Sequence, residues 1–321
     1  MMYNINYGAR VRYIQMKGFD HMKKKRLQLR TYLFLLLPII IASVGLRVYS
    51  LLKDFDFASG YFVSRDIITA ASAVAIGAVI FSLGYLLQSE LDQGLIPSFS
   101  NPMTYVTGSA ASVALLFFAV SALTVQNTEP TLSVIIDALN TVLPFLAIGS
   151  VGLFITNMLI TERTSSLRAV FGMCLASFLA IHAVSLFLFD ARLMNAESRT
   201  VDVMAYIITA TFFLFEVRLS LGRDVWRAYA AVGMATIAVT AYSAIPTLTV
   251  YFINGNMISS SIYESAVTLA LCLYVASRIC VTLTLPEDKK SELVRMINIK
   301  EEKIETDPEA SNEQAKTEDN A

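Results

Sequence analysis

Eight apolar stretches, at 31–49, 66–88, 103–125, 132–157, 167–189, 201–219, 227–252 and 258–281, alternate with short polar segments along the 321 residues. Each is about twenty residues long, the length of helix needed to cross a hydrocarbon core ~30 Å thick. Inside lipid every backbone donor and acceptor must be paired within the segment, which leaves the helix as the economical form. The alternating pattern of a membrane barrel is absent. The pattern therefore predicts an all-α fold: a polytopic membrane helical bundle with eight transmembrane helices. The helices occupy residues 31–284, between a basic segment (1–30) and a charged, largely disordered tail (285–321).

Outside the spans the pattern predicts little further structure. Residues 50–62 place Leu51, Phe55, Ala58 and Phe62 on one helical face, away from Lys53, Asp54 and Asp56. That suits a short interfacial helix, and a surface loop fits the same residues. The turn at 219–226 is tight and charged, with Trp226 and Tyr229 expected at interface height as aromatic anchors. Leu293, Met296, Ile297 and Ile304 recur at near-helical spacing over 287–305, and the composition from Asp307 onward is that of a disordered tail. Small residues crowd the second and third spans. The spacings Ala73 to Gly77 and Gly108 to Ser112 read as internal helix packing in preference to a dimer face.

With 55% hydrophobic residues there is almost no soluble domain to carry an activity. Charge sets the orientation. If the N-terminus is cytoplasmic and all eight spans cross, twenty of the 25 lysines and arginines fall inside, and five, Arg47, Lys53, Arg65, Arg192 and Arg199, fall outside. The positive-inside rule then puts both termini in the cytoplasm and the chain in the cell membrane. The segment 89–102, which carries no basic residue, is the weak point of that topology. The apolar run after Arg30 is longer than a signal-peptide core and reads as a retained first span. Met22 before Lys23, Lys24, Lys25 and Arg26 has the form of a bacterial start, so residues 1–21 read as an upstream extension. Cys174, Cys272 and Cys280 all lie in spans and lack metal or disulfide spacing, so they read as small hydrophobes.

Polar residues within the spans carry what functional signal there is. An ionisable group in hydrocarbon costs ~2.5–3.5 kcal/mol on insertion scales, which makes each a candidate site. Counted from the outer ends at 1.5 Å per residue, Asp137, His182, Tyr206 and Glu264 form one layer in the outer half of the membrane. Pro246 lies at the same depth, where it frees a carbonyl and lets its helix bend toward a cavity. Scattered interhelical hydrogen bonds would account for the same four residues. An acid four residues before a threonine recurs in the fourth and eighth spans, Asp137 with Thr141 and Glu264 with Thr268. Two parallel four-helix halves would produce that correspondence, and so would composition alone.

Several chemistries lack their residues. After residue 30, His182 is the only histidine, so there is no His pair for a metal and no HExxH. No phosphate-binding glycine loop, intramembrane-protease motif, cofactor motif or nucleic-acid-binding pattern occurs. The expected function is a secondary transporter or permease-like protein with an outer-half polar cavity, acting on a small solute with a proton or cation. The alternatives are a membrane sensor or a scaffold subunit that binds a membrane-protein partner, and an intramembrane enzyme using Asp137, His182 and Glu264. The lipid bilayer is the partner that all of these share.

Overall fold

The computed structural model describes residues 31–57, 61–87, 101–125, 134–160, 165–189, 196–223, 225–255 and 261–281. The basic N-terminal segment, the segment 89–100 and everything after Val281, including the amphipathic stretch at 287–305, lie outside the described residues.

Apolar runs with no competing strand pattern give eight helices: α1 (Thr31–Lys53), α2 (Asp66–Gly84), α3 (Pro102–Val125), α4 (Val134–Leu159), α5 (Ser166–Phe189), α6 (Glu197–Ser220), α7 (Trp226–Asn254) and α8 (Ile262–Val281). A 3₁₀ turn, Tyr85–Leu87, extends α2. All eight are long and apolar enough to cross a membrane, so the chain is a multi-pass helical membrane protein whose surroundings are lipid.

Helices α3 to α8 each pack on the next, and α3 packs on α8, closing a ring of six. The ring is filled. Phe178, Leu179, Phe212, Phe213, Met234, Leu271 and Val275 are all buried in one cluster. Close approach depends on missing side chains: a Cβ at Gly172 would lie 2.7 Å from Val217, and one at Gly233 would lie 2.6 Å from Ile279. Gly152 is likewise covered by the ring of Phe171. Outside the ring, α2 packs on α7, and α1 packs on α2 through Tyr32, stacked on Phe81 at 4.9 Å between centroids. Helix α7 ends at Gly255, whose φ of 70° suits a residue without a Cβ.

Three expectations are corrected. Residues 50–62 are no interfacial helix: α1 runs on to Lys53, and Phe55–Asp56 pairs antiparallel with Tyr61–Phe62. The apolar set is kept, because Phe55 and Phe62 pack on Leu51 and Val250, and a hairpin folds Phe62 back onto them where a straight helix would carry it ~16 Å along its axis from Leu51. Ala73 and Gly77 face outward, with open space around Gly77, whereas Gly108 does pack internally on Phe154. Trp226 and Tyr229 are no interfacial anchors. They are buried inside the ring, since both begin the face of α7 turned toward it. Of the two readings of the Asp137/Thr141 and Glu264/Thr268 correspondence, composition alone fits better: a repeat of four-helix halves would match the α3–α8 packing with one between α4 and α7, and among the described residues no such packing is seen.

Candidate functional site

Three of the five candidates meet in the ring. His182 on α5 places Nε2 3.7 Å from Oε1 of Glu264 on α8. The imidazole stands edge-on to the Tyr206 ring of α6 at 4.6 Å, stacks on Phe178 at 5.8 Å and meets Phe118 of α3 edge-on at 5.2 Å. Tyr206 donates to the Glu264 carbonyl at 3.3 Å and accepts from the Thr268 hydroxyl at 3.3 Å. His182 and Tyr206 are buried, and the Glu264 side chain keeps 13% of its surface. The aromatic walls hold the imidazole plane, so its approach to the carboxylate is fixed by packing. Asp137 belongs to α4, but its side chain lies outside what the structure describes.

Pro246 acts at a neighbouring point. A proline has no N–H for the carbonyl four residues earlier, that of Tyr242, and Arg47 of α1 donates Nη1 to that carbonyl. The same guanidinium lies 4.5 Å over the Tyr242 ring and 3.1 Å from Glu197 at the start of α6. Tyr242 also approaches Ser72 of α2 at 3.2 Å, and Ser243 donates to Asp202 at 2.6 Å. Proline therefore docks α1 onto α7, and helix α7 is continuous through it.

A second charged cluster occupies the other end of the ring. Glu216 of α6 accepts from Arg278 Nε at 3.0 Å and from the Tyr274 hydroxyl at 3.0 Å, both on α8. Asn157 of α4 donates to Tyr274 at 2.8 Å. Arg168 of α5 donates to the Ile160 carbonyl at 2.6 Å, closing the end of α4. Every one of these side chains is buried. Over 14 residues of α8, from Glu264 to Arg278, the two clusters stand ~21 Å apart.

The residues that sequence reasoning missed are Arg47, Glu197, Asp202, Glu216, Arg168 and Arg278, all of which it assigned to loops, turns or span edges. A signal was present. Asp202 and Glu216 are 14 residues apart on α6, as Glu264 and Arg278 are on α8. Fourteen residues are close to four whole turns, so each pair shares one face.

A groove of about 580 Å³ opens between α5 and α6, lined by apolar residues with Arg199, Thr200 and Thr211, and none of the five candidates lines it. No protein-family model matches this chain, and neither a curated protein nor a solved structure does.

Proposed function

We propose that this chain is a secondary transporter, permease-like, in which His182 and Glu264 form the site that exchanges a proton or small cation, and that it lies in the cell membrane with both termini cytoplasmic. The observation that carries the reading is the buried pair itself, 3.7 Å apart and supplied by two helices of a closed ring. With one shared proton the pair is neutral overall. Losing that proton leaves a net negative charge that a cation can replace, so the two titrations are coupled. Tyr206 and Thr268 steady the α8 backbone beside the carboxylate. Asp202, Glu197 and Arg47 surround the pair's end of the bundle with further ionisable groups.

A pH jump applied to proteoliposomes on a solid-supported membrane tests this without knowledge of the solute. The wild type should give a transient charge displacement when the pH jump changes the number of protons the pair holds. Glu264→Gln and His182→Gln should lose it while eluting as folded protein. Loss in Asp137→Asn as well would add α4 to the site. The scaffold reading is favoured by one observation, the filled interior of the ring. A folded wild type that displaces no charge, or variants that match it, would leave the scaffold reading standing.

A further inference from the structure

At the Arg278 end of the ring, Glu216 Oε2, Asn157 Oδ1 and Trp226 Nε1 are polar atoms without a hydrogen-bond partner inside the protein, and the Tyr229 hydroxyl, which accepts from Arg278, has no acceptor for its own proton. Their residues are 1%, 6%, 2% and 0% exposed, so bulk solvent does not serve them. A buried donor or acceptor left unpaired loses its hydration and gains no bond in exchange, so each favours a ligand that completes it. The four belong to one cluster. Asn157 and Glu216 bond to the same Tyr274 hydroxyl, the Tyr229 hydroxyl lies beside the Arg278 guanidinium that bonds Glu216, and Trp226 packs on Tyr229 at 5.7 Å. Arg278 can only donate, so the Tyr229 proton still requires an acceptor.

The chemistry of the set restricts its ligand. Glu216 Oε2 and Asn157 Oδ1 are acceptors and cannot bond an anion, while the Trp226 and Tyr229 donors, close to Arg278 and Arg168, cannot bond a cation. What remains is a small neutral molecule able to donate twice, to Glu216 Oε2 and Asn157 Oδ1, and to accept twice, from Trp226 Nε1–H and Tyr229 O–H. We infer that this is a water site, in which one ordered water, or a hydrogen-bonded pair, is bound among Asn157, Glu216, Trp226 and Tyr229. Buried waters of this kind make about three bonds to groups otherwise unsatisfied. The direct bonds of the cluster join α4, α6 and α8, and the water adds α7 to them. The site is independent of the transport reading.

Trp226 is the one tryptophan of the chain, so a single indole signal reports on it. In ¹⁵N-labelled full-length protein in lipid nanodiscs, the Trp226 indole proton should show a dipolar cross-peak at the water frequency, the mark of a water that stays bound. Absence of that cross-peak in the wild type overturns the proposal. Asn157→Leu removes an acceptor and fills space, and should weaken the cross-peak several-fold. An unchanged cross-peak in that variant would place the water on other ligands and also overturn the assignment. If Asn157→Leu does not fold, Tyr229→Phe, which keeps the ring and removes the donor, should weaken the signal in the same way, and an unchanged signal there counts equally against it.

Discussion

An arginine that enters a bilayer must find acceptors inside the protein, and four here do so in different ways. Arg47 takes a carbonyl freed by proline together with Glu197, Arg168 and Arg199 donate to the last carbonyls of α4 and α5, and Arg278 pairs with Glu216. The last case is fully desolvated, so removing one partner should cost far more than removing both. We expect Arg278→Met to lower unfolding stability by about 3–5 kcal/mol, because Glu216 is then left as a buried charge. Glu216→Met with Arg278→Met should recover much of that loss, as read by thermal unfolding in detergent. A double variant no more stable than Arg278→Met would show that the pair is not the charge balance of this end. Spacing within one helix shows only that Glu264 and Arg278 share a face, and it leaves the pairing of Arg278 with Glu216 on another helix illegible. Sequence reasoning found His182, Tyr206 and Glu264 because each interrupts an apolar run, and it read these arginines as edge or loop charges because they lie near the ends of theirs.

At the scale of elements, α7 shows why low hydropathy need not exclude a span. Thr236, Thr240 and Thr247 each donate to the carbonyl four residues earlier, at 2.8, 2.6 and 2.9 Å, so their hydroxyls are satisfied within the helix. Pro246 breaks the same ladder, and Arg47 fills the gap. The two residues should therefore be energetically coupled. Pro246→Ala returns an N–H to the Tyr242 carbonyl and should make Arg47→Met less damaging than it is in the wild type, with a coupling of about 0.5–3 kcal/mol in a double-mutant cycle of thermal stability. Additive effects would separate them. The glycine contacts predict in the other direction. Gly233→Ala pushes a methyl into Ile279 and Phe212 and should destabilise by about 1–3 kcal/mol, whereas Gly77→Ala, with open space around it, should leave unfolding unchanged. Helix existence was legible from the length of the apolar runs. The start of α6 was not, because Glu197, Arg199 and Asp202 look like loop residues until their partners on other helices are known.

For the whole molecule, the closed ring of α3 to α8 with α1 and α2 against it could not be read from eight similar apolar runs, since which helices neighbour one another depends on side chains that interlock across the bundle. Orientation is a different matter, because it depends on charges left outside the helices. Four of the 25 basic residues, Arg47, Arg168, Arg199 and Arg278, are buried in helices and bonded to acceptors there, so they contribute little to the choice of side. Setting them aside changes the expected division from twenty against five to eighteen against three, which sharpens the asymmetry on which the positive-inside rule acts. Reporter fusions after Arg163, Arg223 and Ala321 should accordingly read cytoplasmic, and fusions after Gly60, Asn127, Asn195 and Gly255 external. The fusion after Asn195 is the most informative of the seven. It lies just before α6, whose first turn supplies Glu197 to Arg47, so its side fixes the side of the His182–Glu264 end as a whole. An external reading there puts the proposed exchange site in the outer half of the membrane, open to protons from outside. A cytoplasmic reading would invert the bundle, and the proton drawn by the pair would then come from within the cell.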